Sequence, residues 1–384
     1  MKSKKVLVTG CCGTVGQELV KQLLSMDFDG PSEIVGVDSN ESELFFIDQK
    51  YVENPKISFF MCDMRDLDSL NQVTQNVDIV FHAAALKHVV LCERSPGEAV
   101  QTNIQGVHNI ILASKNNGVQ KVIFTSSDKA VNPTSVMGTS KLMGERLMTA
   151  ANSNAADGKT IFASTRFGNV LGSNGSVIPI FKKQIATGGP VTITDDQMTR
   201  FVMTIEQAAK LVLDSAKLAK GGEVLITKMP VIRIIDLAHV MIDLIAPCVG
   251  KSPDDIKIKI IGSKPGEKLY EELMSDEETR RAIELQNYFS VLPAYRGIYR
   301  DIDYYYPSEI SRSVANAYNS AHEEVYSKEK LKEYVIENNL IKPEDLISEG
   351  VAPERYWPGD KEERSSSNVT ANAQAVETKE IADV

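Results

Sequence analysis

The chain has 384 residues, 42% hydrophobic and 24% charged, the mixture of a globular protein with a sizeable core in one large or two modest domains. A formal charge of −10 gives no reason to expect DNA or RNA as a partner, and no apolar run reaches the roughly 18 residues that insert in a membrane. Five cysteines, at 11, 12, 62, 92 and 248, form no CxxC pair and no metal-ligand spacing, so free thiols, a reducing cytoplasmic setting and no metal are expected.

In chain order, KVLVTG (5–10) is a β-rich run ending in glycine, entered directly from a basic start that does not read as a secretory signal. VGQELVKQLLSM (15–26) carries apolar residues at helical spacing. EIVGVD (33–38) is a second strand ending on an acid, and KISFFMCDMRD (56–66) a third strand with a turn. LDSLNQVTQN reads as a short helix and VDIVFHAAA (77–85) as a fourth strand. A long helical pattern runs from about Pro96 to Lys115, then KVIFTSS (121–127) is a fifth strand. A helix opens at SVMGTSK, and TIFASTRFGNV (160–170) is a sixth strand. Strands alternating with helices predict an α/β fold, a Rossmann-type parallel sheet with helices on both faces.

Beyond residue 170 the texture changes to glycine-containing turns between shorter elements. VTITDDQMTRFVMTIEQAAKLVLDSAKLA reads as strand, turn and a helix returning to the sheet. VLITKMPVIRIIDLAHVMIDLIA reads as strand then helix, and IKIKIIGSKPGEKLYEELMSDEE as strand, charged turn and helix. The predicted division is a dinucleotide-binding domain over 1–170, with segments about 200–230 packing back on it. A smaller substrate domain over 171–330, an extension over 331–357 and a disordered tail over 358–384 follow.

Gly10, Gly13 and Gly16 form GxxGxxG between the first strand and helix, the setting in which backbone and helix N-terminus approach a pyrophosphate. Thr14 and Val15 share that turn. Asp38, 22 residues beyond Gly16, suits the hydroxyls of an adenosine ribose and would repel a 2′-phosphate, so NAD is expected over NADP. Asp63 and Met64 close the third strand near the adenine, and Ala83 and Ala84 are small where the sheet meets a cofactor. The alternatives are a tight turn for the glycines, a solvated acid for Asp38 and an ordinary cap for Asp63.

VTGCCGTVG, VFHAAALKHV, TSSDKAVNPTSVMGTSK and STRFGNVLGSNGSVIP together resemble the extended short-chain dehydrogenase/reductases. MTRFVM and GSKPGEKLYEEL narrow the resemblance to the polysaccharide-biosynthesis branch, over roughly residues 4 to 290. Members of that branch are UDP-N-acetylglucosamine 4,6-dehydratases. The resemblance implies a smaller C-terminal substrate domain and an internal redox dehydration, in which hydride leaves C4, water is lost across C5 and C6, and hydride returns to C6.

On that pattern Ser127 would hydrogen-bond the C4 oxygen, Asp128 would be the acid for the C6 hydroxyl, and Lys129 the C5 base, which requires a lowered pKa. Lys141 would hold the nicotinamide ribose and stabilise charge near C4. Related enzymes carry a tyrosine four residues before that lysine. Here Met137 stands in its place, expected to pack beside the sugar or ring, and a thioether moves no proton. Lys87, Asn169, Ser173, Arg200, Lys264 and Glu267 are the candidates for the UDP-sugar. The implied assembly is a homodimer or larger homo-oligomer pairing helices about 96–115 and 137–152 through Val100, Ile104, Val107, Leu142 and Leu147. Competing readings are a 4-epimerase, a dehydratase that also inverts C5, and a non-enzymatic protein that binds NAD or nucleotide sugars.

Overall fold

The computed structural model describes residues 1–26, 29–152, 160–173, 175–263, 266–295 and 302–341. Lys264, residues 342–357 of the expected extension and the expected disordered tail at 358–384 lie outside these.

Six strands and their helices form first: β1 (Lys5–Thr9), α1 (Thr14–Leu24), β2 (Glu33–Asp38), α2 (Glu41–Tyr51), β3 (Ile57–Met61), α3 (Leu67–Val73) and β4 (Ile79–His82). After β4 come α4 (Val89–Arg94), α5 (Pro96–Ala99), a π-helical stretch (Val100–Gln105) and α6 (Gly106–Asn116). The single long helix expected over 96–115 is therefore interrupted, with its regular part beginning at Gly106. Then follow β5 (Lys121–Ser127), α7 (Val136–Ala151) and β6 (Ile161–Phe167).

The second half contributes β7 (Asn169–Val170), α8 (Val177–Ala186), β8 (Val191–Ile193), β9 (Thr199–Met203), α9 (Ile205–Leu218), β10 (Val224–Thr227), β11 (Val231–Arg233) and α10 (Ile234–Ile245). The remainder is β12 (Ile258–Ile260), β13 (Glu272–Met274), α11 (Asp276–Thr279), β14 (Ala282–Leu285), β15 (Tyr288–Val291), β16 (Glu309–Ser311), β17 (Tyr318–Asn319) and α12 (Lys328–Glu337). The helix expected after the charged turn is instead mostly extended at β13, which pairs antiparallel with β17.

The main sheet runs β16-β14-β15-β10-β6-β5-β4-β1-β2-β3. From β10 to β3 every pairing is parallel, and β15, β14 and β16 add antiparallel strands at one edge. Strand order reverses between β1 and β4, so a crevice opens there at the carboxyl ends of the strands, where open α/β sheets bind ligands. Alternation along β1 sends Val6 and Val8 to one face, packed with Leu19, Leu23 and Val212. Leu7 goes to the other, with Ile110, Ile111 and Met148. A second core gathers Phe181, Ile185, Leu237, Met241 and Leu331 under β8 and β9. Of the apolar residues expected at a helical dimer face, Val100 is 52% exposed while Val107 is buried in the sheet's own core. Ile104, Leu142 and Leu147 are half-buried.

Candidate active site

The glycine turn is built by close approach. Gly10 has φ +69°, and a Cβ there would stand 2.7 Å from the Ala84 backbone. A Cβ on Gly16 would strike the Gly10 carbonyl. The Gly10 and Cys11 N–H groups donate to Val37 O at 2.8 and 3.2 Å, which seats the turn on β2. A groove of about 310 Å³ follows, lined by Gly10, Gly13, Asp38, Asp63, Met64, Ala83 and Ala84. Thr14 and Val15 open α1 at its rim, and Gly16 is buried beneath.

Asp38 accepts the Cys12 N–H at 3.1 Å and the Asn40 N–H at 3.0 Å, so its carboxylate is fixed at the end of β2. The thiols of Cys11 and Cys12 lie within 4.8 Å of it. The Cys12 contact, burial and nearby negative charge push the Cys11 thiol far above its ordinary range. Arg65 enters the same groove from the β3 turn, a cation that inspection of the residues after Asp38 missed. It is neutralised by Asp63, at 2.6 Å, and by Glu98, at 3.2 Å. That pair also holds the Asp63 carboxyl below its usual value.

β5 delivers the chemistry. Its last residue, Ser127, is followed by a single 3₁₀ turn over Asp128–Ala130. Ser127 Oγ donates to Asp128 Oδ1 at 2.7 Å, and the same oxygen accepts Lys129 Nζ at 3.0 Å and the Lys129 N–H at 2.8 Å. Ser135 caps α7, and Gly138 lets that helix press on the Lys129 carbonyl, where any side chain would clash. One turn on, Lys141 is buried. Its Nζ donates to Thr125 O at 2.9 Å and lies 4.8 Å from the Phe124 ring centre. Burial lowers its pKa from 10.5 to about 8, against the pull of Glu145 and Cys92.

Two expectations are corrected here. Lys129 does not carry a lowered pKa. Burial opposes its charge, but Asp128 on one side and Glu271 on the other outweigh it, and the amine is held above its ordinary value. Met137 does not face an open cleft. It is 4% exposed and packs with Cys92, Ala99, Val89 and Val136. An apolar side chain at the start of α7 gains more against α4 and α5 than against a water-filled groove.

A second pocket, of about 190 Å³, brings together Asn169, Arg200 and Glu267 with Phe181, Thr192 and Ile261. Arg200 is buried, and three of its N–H groups donate to the carbonyls of Thr199, Leu269 and Lys268 at 2.7–3.1 Å. Its position is thus fixed by backbone, with Glu267 and Glu271 each 3.9 Å away. Asn169 Oδ1 is buried with no hydrogen-bond partner among the described residues. Ser173 stands outside this lining, its carbonyl accepting the Ser176 N–H, and Lys87 is exposed in the turn after β4.

Sequence reading missed Glu271. Treating KLYEEL as helix hid it. In the extended chain Glu271 and Leu273 alternate inward, at 2% and 0% exposure, and an acid in register with buried apolar residues was the available signal.

The strand order, glycine turn and lysine-bearing helix over β5 define an extended short-chain dehydrogenase/reductase. A family model described as polysaccharide biosynthesis protein matches residues 6–293. A Methanocaldococcus jannaschii protein, named only as an uncharacterized membrane protein, is 47% identical over 340 residues, covering 88% of this chain and 97% of its own. No helix among the described residues is long and apolar enough to cross a membrane. A Campylobacter jejuni UDP-N-acetylglucosamine 4,6-dehydratase (inverting) is 38% identical, covering 78% of this chain and 86% of its own. A Rickettsia bellii UDP-glucose 4-epimerase is 36% identical, covering 89% and 98%. The X-ray structure of Pen from Bacillus thuringiensis superposes with a TM-score of 0.79 at 39% identity, covering 88% of this chain and 98% of that one. The chain belongs to the polysaccharide biosynthesis protein family of nucleotide-sugar dehydratases and epimerases.

Proposed function

We propose that this protein is an NAD-dependent nucleotide-sugar 4,6-dehydratase acting on a UDP-N-acetylhexosamine, with UDP-N-acetylglucosamine the first candidate. The observation that carries this is the acid–amine pair at the end of β5, Asp128 Oδ1 to Lys129 Nζ at 3.0 Å, beside the Ser127 hydroxyl. An epimerase, which returns hydride to C4, has no required step for such a pair. The Campylobacter dehydratase supports the same choice. The Rickettsia epimerase keeps 4-epimerisation as the reading to be tested against it.

The cofactor groove suits a dinucleotide: the missing Cβ atoms at Gly10 and Gly16 let the turn close on the Ala84 backbone and the Gly10 carbonyl, which sets the start of α1 beside the groove, where a pyrophosphate would be held. Asp38, Asp63, Met64, Ala83 and Ala84 would line its adenosine half, and Lys141 would hold the nicotinamide ribose. A nicotinamide bound there supplies hydride acceptance at C4 and its return to C6. Asp38 and the neutralised Arg65 favour NAD over NADP. Arg200, Asn169 and Glu267 would hold the nucleotide of the substrate, and Ser173 and Lys87 remain further candidates for contacting it.

For elimination, the C5 base must be neutral and the C6 acid protonated. At rest the pair is charged. One proton moved along the 3.0 Å hydrogen bond, from Lys129 Nζ to the Asp128 carboxylate, produces both forms at once. A sugar filling the cleft excludes water and disfavours the ion pair against the neutral pair. Lys129 then takes the C5 proton, and the electron pair it leaves is delocalised into the C4 ketone. As the C6–O bond breaks, Asp128 gives its proton to the departing hydroxyl, which leaves as water. The charged pair is restored. Met137 cannot carry the C4 proton; Lys141, titrating near 8, has a pKa in the working range.

The test is the product from UDP-N-acetylglucosamine in deuterated water, followed by NMR. The expected product is a 4-keto-6-deoxy sugar with deuterium exchanged at C5. Lys129→Ala should bind both ligands and lose about 10²–10⁴-fold in rate. Asp128→Asn should slow water loss more than hydride abstraction, so absorbance at 340 nm rises transiently. A C4 epimer that keeps its C6 hydroxyl would sink the dehydratase reading.

A further inference from the structure

The mechanism above leaves one buried acid of the site without a role. Glu271 is 2% exposed and sits just before β13, its N–H donating to Ser320 Oγ at 3.0 Å. Its Oε1 lies 3.3 Å from Lys129 Nζ and 3.9 Å from Arg200 Nε. Its Oε2 is buried with no hydrogen-bond partner among the described residues, and so is Asp128 Oδ2. The Lys129 amine is therefore bracketed by carboxylates from two distant parts of the chain. Glu271 in turn stands between that amine and the pocket lined by Arg200.

We propose that Glu271 is a positioning residue of this site: its carboxylate fixes the Lys129 amine against Asp128 and sets how firmly the amine holds its proton. The electrostatic part stands on geometry alone, while its catalytic consequence rests on the dehydratase reading. Asp128 and Glu271 favour the ammonium, and burial and Arg200 oppose it. Burial, then Asp128, push the Glu271 carboxyl above its ordinary range, against Lys129 and Arg200. Of the other charges on this turn, Glu267 lies 3.9 Å from Arg200, while Lys268 and Glu272 are engaged away from the Lys129 amine. Lys268 donates to Val131 O at 2.8 Å and lies 3.9 Å from Glu272, which accepts Asn132 Nδ2 at 2.9 Å. With Asp128 alone the amine would keep one anionic neighbour in place of two, and would lose its proton at lower pH.

Lys129 is 29% exposed at its side chain, enough for a small reagent to reach it. Competitive acetylation with acetic anhydride across alkaline pH, read by mass spectrometry on the full chain, gives the midpoint at which Lys129 becomes reactive. Exposed Lys210 serves as internal reference. The expected midpoint is about one to three pH units lower in Glu271→Gln than in wild type. Glu271→Asp, which keeps the charge but draws it back by one methylene, is expected between the two, and carries the test if the glutamine variant does not fold. An unchanged Lys129 midpoint in the folded variants, with Lys210 constant, overturns the proposal.

Activity separates the two claims. The active pair holds one shared proton, so the alkaline loss of dehydration follows deprotonation of Lys129, and Glu271→Gln should move that limb down by the same amount as the labelling midpoint. A wild-type protein that yields no dehydrated sugar, with the labelling shift present, sinks the dehydratase reading and leaves the Glu271 assignment standing.

Discussion

Lys141 is a cation that the fold holds at a cost, and that cost can be measured. Lys141 is 6% exposed, its amine donates to Thr125 O, and the Phe124 ring lies beneath it. Burial brings its pKa from 10.5 down to about 8. Between those values the unfolded chain binds the proton and the folded chain does not, so stability rises with pH across this window. Below about pH 8 the penalty is present in full; above 10.5 it is gone. The difference between 10.5 and about 8, at about 1.4 kcal/mol per unit, amounts to about 3 kcal/mol. Lys141→Met removes both the penalty and its pH dependence, and also deletes the bond to Thr125 O, worth about 1 kcal/mol. Near neutral pH the variant should be about 2 kcal/mol more stable than wild type, while losing the hydride step. Urea unfolding of both proteins, in half-unit steps from pH 7 to 11, cancels every other titration in the difference. That difference should close and reverse over the window, moving by about 3 kcal/mol. Two stability curves that stay parallel from pH 7 to 11 would refute the reasoning.

Arg166 is buried between Glu145 and Glu278, bonded to both at 2.7–2.9 Å, so Arg166→Met strands two buried carboxylates and should cost about 3–5 kcal/mol in urea unfolding. A loss below about 1 kcal/mol would contradict that account. Calorimetry should find NAD bound more tightly than NADP, and Asp38→Asn should narrow the gap by removing the charge that repels a 2′-phosphate; tighter binding of NADP by the wild-type protein would refute the role given to Asp38.

The parallel sheet was legible because its strands are nearly continuous apolar runs closed by glycine, acid or serine. EIVGVD and KVIFTSS are strands from their first residue to their last. Helix α2 was not seen. ESELFFIDQKY buries only Leu44 and Ile47 and leaves Phe45 42% exposed, so its apolar residues do not describe one face. The break at Val100–Gln105 was also hidden, since six residues are too short for an i→i+5 spacing to stand out from the helical pattern on either side. At the site, the glycine turn, Asp38 and the Ser127–Lys129 run were legible because each is local in sequence. Glu271 and Arg65 were not, because what gives each a role is a contact made across the fold: Lys129 for one and the cofactor groove for the other. The sign of the Lys129 perturbation was misjudged for that same reason. Burial could be guessed from the strand end, but the second carboxylate could not.

Met137 explains why these charges matter. A tyrosine at this helix position would bring a phenol into the proton economy of the cleft. Methionine brings none and is packed with Cys92 and Ala99. The ionisable side chains gathered around the end of β5 are then Asp128, Lys129, Glu271 and, under the strand, Lys141. Three of them are nine-tenths or more buried, and each is either paired with an opposite charge or shifted toward neutrality. On the proposed mechanism such a set would hold few protons and exchange them over short distances. Moving one between Lys129 and Asp128 changes no net charge, so it avoids the desolvation cost that would meet a proton arriving from solvent. On the proposed mechanism, a thioether in place of the phenol would move the control of proton transfer from one side chain's pKa to the balance among neighbouring charges, and Glu271 is the member of that balance that lies 3.3 Å from the amine and 3.9 Å from the arginine of the second pocket.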